Sequence, residues 1–319
     1  MRIGASSKLC FTLIVLFLAS MAHAGNLLFA DHPLAGKIWD MNSRSFIDEA
    51  ALLAKTNKAD VLLLGETHDN QLHHENQQKL LKARIGSGAS PALMPALMME
   101  QLNAEDQGAL DLALAGSNRD ETLNNVTGLI KFADQQPYQP LLAIAIDNKL
   151  PVIAANIPNQ RLQPVIWRGY AVYDADELKR LAVEEVWNER RQKYLATNMG
   201  GAHCGQLRDE LRAGLTRSQR LRDALMVDSA VSSIARGVVA IVGSSHARRD
   251  IGLPLYFAAR APSARILSVG FIEVSPGVTD PRAYEADSAT GEAPYDVIWF
   301  TPRVDRADPC ANLGAPKGV

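Results

Sequence analysis

Short apolar runs recur along the chain at residues 60–64, 96–99, 151–155, 238–242, 265–272 and 296–300. They are rich in Val, Ile, Leu and Ala and bounded by glycine, proline or polar residues, which predicts buried strands. Between them the apolar positions recur at helical spacing. Helices are expected over 45–55, with Ser45 as N-cap and Asp48 at N3, over 70–84 behind Asp69 or Asn70, and over 104–114, 138–148 and 253–260. No strand pattern is visible from 158 to 236. That stretch instead holds two long charged amphipathic segments, 176–196 and 216–235, separated by a glycine-flanked break at 200–205. Alternating buried strands and helices imply an α/β fold whose mostly parallel sheet is covered by helices. The region of about 159–236 forms a helical insertion or small helical domain. Gly86-Ser87-Gly88 with Pro91 reads as a loop, residues 280–294 as an exposed loop, and the proline-containing tail after Thr301 as extended or loose.

Two of the runs end alike. Val61–Leu64 enters Gly65-Glu66-Thr67-His68, and Val238–Val242 enters Gly243-Ser244-Ser245-His246. The run at 96–99 delivers Glu100 and Gln101, and that at 151–155 delivers Asn156. In parallel sheets, ligands bind beyond the carboxyl ends of the strands. Glu66, His68, Glu100 and His246 are therefore expected to converge on one crevice. Two imidazoles and two carboxylates suit a divalent metal, or a general acid–base pair working without one. A histidine at a strand end also often does no more than bond a backbone carbonyl. His73 and His74 follow on the next helix, either leaning back towards the site or lying on a solvated helix face.

The chain of 319 residues is 47% hydrophobic and 21% charged, which suits one large globular domain. Residues 1–24 stand apart. Arg2 and Lys8 precede an apolar run, and Ala22-His23-Ala24 places small residues before Gly25, as in a cleaved signal peptide. Cys10 lies at the start of the apolar run, so no lipid anchor is expected. The protein is expected to be periplasmic or secreted, or membrane-associated without a lipid anchor. Removing the segment moves the net charge from −2 to −4. Basic residues are scattered rather than striped, so nucleic acid is not an expected partner. The remaining cysteines, Cys204 and Cys310, form an even pair, which in an oxidising compartment suggests a disulfide.

Asp60–Asn70 with His74, Glu100, the stretch Gly243–Pro254 and the closing stretch Tyr295–Arg303 together resemble the ChaN-like haem-binding uptake proteins of the Tiki-like superfamily. The resemblance covers most of the chain beyond the leader, residues 25–319. It implies an exported α/β protein that binds haem for iron uptake. It also implies homodimers sandwiching haem as one family arrangement, with haem-transport components as partners. Glu66, His68, Glu100 and His246 match positions held to be catalytic or metal-binding in the superfamily's hydrolytic branches. A metal-dependent hydrolase using that crevice is the alternative. No C-x-x-C-H is present, so haem would be held without covalent attachment. Tyr194 and His203 in the helical region, together with His74, are the haem-ligand candidates. Tyr170, Tyr173, Met199 and Met226 are also of ligand type.

Overall fold

A computed structural model describes residues 26–86, 94–132, 134–308 and 310–311. The leader at 1–24, its cleavage point and most of the loop expected around Gly88 lie outside the described residues.

The chain opens with β1 (Leu27–Leu28), β2 (Ile38–Asp40) and β3 (Ser45–Ile47). Ser45 therefore does not cap a helix. It pairs with Asp40 in an antiparallel β2–β3 ladder, and α1 (Glu49–Thr56) starts later. Asp48 is its N-cap, accepting the Ala51 N–H at 2.8 Å. There follow β4 (Val61–Glu66), α2 (Gln71–Gly86), β5 (Ala96–Asn103), α3 (Gln107–Leu114), α4 (Arg119–Gly128), α5 (Gln139–Asp147) and β6 (Val152–Asn156). α4 has no counterpart in the sequence reading. Its first turn is polar, and Asn118 caps it by accepting the Asp120 and Glu121 N–H groups.

From 159 to 230 the described chain carries α6 (Asn159–Arg168), α7 (Ala175–Arg180), α8 (Glu189–Ala202) and α9 (Asp209–Ala230). The segment expected as one helix over 176–196 breaks after Arg180. Ala182 there adopts a positive φ, and Asn188 caps a fresh start by accepting the Arg191 N–H. β7 (Val238–Gly243), α10 (Ser244–Ala247), α11 (Leu253–Arg260), β8 (Ile266–Glu273), β9 (Val297–Thr301) and β10 (Arg303–Val304) complete the chain. The tail is not wholly loose, because β10 pairs with β1.

The main sheet runs β3-β2-β9-β8-β4-β7-β5-β6, parallel from β9 to β6 and antiparallel at the β2 edge. Side chains of β4 alternate between its faces. Leu62 and Leu64 pack under α2 and α5, while Val61 and Leu63 pack under α9 and α11. Burial on both faces is why these strands read as unbroken apolar runs. The Cys204–Cys310 disulfide is present and ties the turn after α8 to the tail. No helix among the described residues is long and apolar enough to cross a membrane.

Candidate functional site

Adjacent strands β4 and β7 send the chain to opposite faces of the sheet. β4 leads into α2, whose Leu80 and Leu81 pack on one face. β7 leads through α10 to α11, whose Leu253, Tyr256 and Phe257 pack on the other. A crevice opens where neighbouring connections diverge in this way. Glu66 pairs in register with Gly243, so the two Gly-x-x-His segments meet there. Gly65 is required by that meeting. A Cβ on it would lie 2.7 Å from Ala247 Cβ and 3.1 Å from Ser244 Cα, so α10 sits directly on β4.

Glu66 is buried and surrounded by donors. Oε1 accepts His68 Nδ1 at 2.8 Å, Tyr138 Oη at 2.7 Å and Gln101 Nε2 at 3.1 Å. Oε2 accepts Gln77 Nε2 at 2.7 Å and faces His74 Nδ1 at 3.1 Å, an ion-pair contact off the line of a hydrogen bond. Burial opposes ionisation, but the His68 and His74 contacts outweigh it and hold the Glu66 pKa far below the ordinary carboxylate range. His74 donates Nε2–H to the His68 carbonyl at 3.0 Å. Burial works against its positive charge too, yet Glu66 raises its pKa. His73 behaves differently. Its Nδ1 accepts the Thr67 N–H and its Nε2 donates to Thr301, which fixes a neutral ring, and burial lowers its pKa to about 4.

The second half of the site is built around His246. Its Nδ1 lies 2.5 Å from Asp223 on α9, and its Nε2 lies 3.3 Å from Glu100 Oε1. The other Glu100 oxygen accepts the Gly243 N–H at 2.6 Å. Burial opposes the imidazolium, but two flanking carboxylates push the His246 pKa up to about 10. Burial also raises the Asp223 pKa, so the three groups hold their protons as one unit. The halves approach each other over Gly243, where a Cβ would meet His68 Cε1 and Nε2 at 3.2 Å and Glu100 Oε2 at 3.5 Å. His68 alone of the four anticipated residues is open, with its side chain 43% exposed. Burial opposes its protonation, and Glu66 and Glu100 raise its pKa.

On the α9 side, His246 faces a cleft of about 630 Å³. Leu195, Met199, Ile251, Ile272 and Ile298 give it an apolar wall, and Tyr284 and Arg248 bring polar groups to it. Tyr284 Oη accepts the Ser275 N–H at 2.8 Å.

The structure thus brings Glu66, His68, Glu100 and His246 to one place, as two ion-paired halves rather than one coordination sphere. Among the described residues no three His, Cys, Asp or Glu side chains converge as a metal site. Both Glu66 oxygens already face neighbouring donors, and both His246 nitrogens face carboxylates. His74 is sealed in the interior with both nitrogens facing oxygens, so neither His74 nor His73 lies on a solvated face. His203 is exposed at the end of α8, where its Nδ1 bonds the Met199 carbonyl at 2.8 Å. Tyr194 stands behind Asp287, which lines the cleft, and gives it its hydroxyl at 2.5 Å. Tyr170 bonds the Arg217 carbonyl, and Met226 is buried in the core.

Sequence reading placed Gln101 beside Glu100 at the end of the 96–99 strand, but missed Asp223, Gln77 and Tyr138. Asp223 left a trace. It falls in step with Val227 and Ala230 on the buried stripe of α9, where an acid is costly without a partner.

A family model described as haem-binding uptake, Tiki superfamily, ChaN, matches residues 52–257. Among solved structures, the fold resembles a ChaN of Campylobacter jejuni described with cofacial haem binding. Identity is 20%, over 82% of this chain and 95% of that one, with a TM-score of 0.65. A succinoglycan biosynthesis protein matches at 13% identity over 79% of this chain and 73% of that one, with a TM-score of 0.39. A variant of the erythromycin esterase EreC in its open conformation matches at 12% identity over 82% and 94%, with a TM-score of 0.40. No curated protein sequence matches. By the match across most of its length, this chain belongs to the ChaN family of haem-binding uptake proteins in the Tiki superfamily.

Proposed function

We propose that the protein binds haem in the cleft beside His246, outside the cytoplasm, as a step in haem uptake. Family membership supplies the ligand class, and the cleft is the observation that carries the reading. Its volume of about 630 Å³ falls within the range of small-molecule sites, and its wall is mainly apolar. Met199 and Tyr284, which line it, are side chains of the types haem iron accepts. His246 is not counted among them, because both its nitrogens face carboxylates. The leader-like residues 1–24 and the Cys204–Cys310 disulfide support an exported, oxidising location. Homodimerisation and transfer to haem-transport components belong to the same reading. Absorbance titration with hemin tests it. A saturable Soret band with a stoichiometric end point is expected, and a spectrum that stays that of free hemin at every ratio would remove the proposal.

A second reading is favoured by one observation, the half-exposed His68 imidazole oriented by Glu66 beside Glu100 and Gly243. That arrangement can move a proton at a strand-end crevice, as hydrolysis requires. A divalent metal held by Glu66, His68, Glu100 and His246 would need these ion pairs to open first. Screening esters, peptides and phosphoesters with and without added divalent metal tests this reading. Turnover lost in H68A is expected, whereas turnover equal in wild type and H68A would eliminate it.

A further inference from the structure

The rim of the cleft holds a carboxylate that belongs to the chain itself. Asp287 lies on the loop between Tyr284 and β9 and also lines the cleft. Its Oδ1 accepts the Tyr194 hydroxyl at 2.5 Å, and its Oδ2 lies 3.4 Å from Arg248 Nη1. The Arg248 guanidinium carbon stands 4.9 Å from the centre of the Tyr194 ring, so the two donors form one stacked unit. Asp250 fixes that unit from behind, accepting Arg248 Nε at 2.9 Å and Nη2 at 2.8 Å. This leaves the Nη1 corner of the fork directed at the rim.

Donors and acceptor differ in how firmly they are held. The Arg248 side chain is 10% exposed, and that of Asp287 is 69% exposed. The Asp287 backbone is held separately, its carbonyl accepting Arg248 Nη2 at 2.7 Å. Its side chain can therefore rotate away without moving the loop. A contact of 3.4 Å is long for a charge-assisted bond, and an ion pair with an exposed partner contributes only about 0–1 kcal/mol. Burial pushes the Tyr194 pKa up to about 12, which keeps the phenol protonated as a donor.

We propose that Tyr194 and Arg248 form a carboxylate-binding subsite at the cleft rim, in which Asp287 stands as an internal occupant that a ligand's carboxylate displaces. The ligand class is a flat apolar molecule carrying an acid group. Its body lies against Met199, Ile272 and Ile298, and its carboxylate ends on the Tyr194–Arg248 pair. A porphyrin propionate belongs to this class, and in that form the inference rests on the haem reading above. Tyr194 then holds the ligand's edge instead of its iron.

The test compares protoporphyrin IX with its dimethyl ester by fluorescence titration against wild type, D287A and Y194F. Neither porphyrin carries iron, so the result is independent of iron ligation. Removing the internal competitor is expected to tighten binding of the acid up to about 5-fold. Removing the Tyr194 hydroxyl should weaken it about 5- to 10-fold, the worth of one hydrogen bond. Binding of the ester should be unchanged in both variants. Equal effects on acid and ester, no effect on the acid, or no saturable binding of the acid would overturn the subsite. Melting curves close to wild type establish that both variants fold, and if Y194F does not fold, D287A alone decides. Hemin that gives no Soret band while protoporphyrin follows this pattern would retire haem as the cargo and leave the subsite standing. Hemin that binds with equal affinity to all three proteins, while the porphyrin pattern is absent, would do the reverse.

Discussion

Replacing Glu66 by alanine removes an acceptor on which His68, His74, Gln77, Gln101 and Tyr138 all converge. Breaking a buried charge pair from one side costs about 3–5 kcal/mol, because the remaining charge stays buried. His74 is the residue left in that position, with no exposed surface. The stranded Tyr138 hydroxyl and glutamine amides add desolvation costs of about 1–3 kcal/mol each, which overlap because one relaxation serves them all. A total near 5 kcal/mol is expected, a large fraction of the stability of an ordinary domain. With a urea m-value of about 2–3 kcal/mol/M, the unfolding midpoint should fall by about 2 M. E66Q separates charge from packing. Its carbonyl still accepts from Tyr138, and its amide can donate to His74 Nδ1 once that imidazole gives up its proton. About 1–2 kcal/mol is expected for this variant. If E66A unfolds within 1 kcal/mol of wild type, or if E66Q is as damaging as E66A, the buried network does not hold the strand end as described.

Other outcomes follow from the same geometry. The His246 pKa is raised from 6.5 to about 10, so its stabilisation is whole below 6.5 and is lost as pH rises through about 10. Burial opposes the Glu100 charge, but His246 wins and holds its pKa at about 2. Its contribution is whole above the ordinary 4.5 and fades as pH falls through about 2. Asp223, raised by burial, acts in the opposite sense and costs stability above its ordinary range. Melting temperature against pH should therefore show an alkaline limb near pH 10 that H246Q lacks, and an unchanged limb in H246Q would refute the assignment. G65A must push Ala247 away from a 2.7 Å approach, and overpacking of this kind costs about 1–3 kcal/mol in denaturant unfolding. The Cys204–Cys310 bond joins residues 106 apart, so the double serine variant should lose up to roughly 4–5 kcal/mol in the chain-entropy model. Equal unfolding midpoints for oxidised and reduced protein would contradict that.

The sheet was legible because its strands are buried on both faces, so each appears as an apolar run with a polar end. Glu66, His68, Glu100 and His246 were placed at one crevice on this ground alone. The β3 edge and the separate β1–β10 ladder were hidden. β1, β3 and β10 are two or three residues long, and Ser45 looked like a helix cap because a serine three residues before an acid is also how helices begin. The network behind the site was hidden for a different reason. Gln77 and His74 lie in a polar run of α2 that reads like a water-facing helix face, and Asp223 is betrayed only by its step with Val227 and Ala230. Only the position of the sheet shows that α2 turns its polar residues inward. The distinction between a metal site and two ion-paired halves depends on which oxygen each nitrogen faces, and spacing along the chain carries no record of that. Tyr194 was singled out as a ligand type, whereas its partner Asp287 lay in a loop read only as exposed.

Haem is proposed to occupy the cleft bounded by α8, α9 and the ends of β8 and β9. Anomalous diffraction at the iron edge, from crystals of the protein loaded with hemin, locates the metal without assuming a ligand. One iron peak is expected within that cleft, against the Met199 and Tyr284 wall, with Asp287 turned away from Tyr194. An iron peak elsewhere on the surface, or none at full hemin loading, would contradict it.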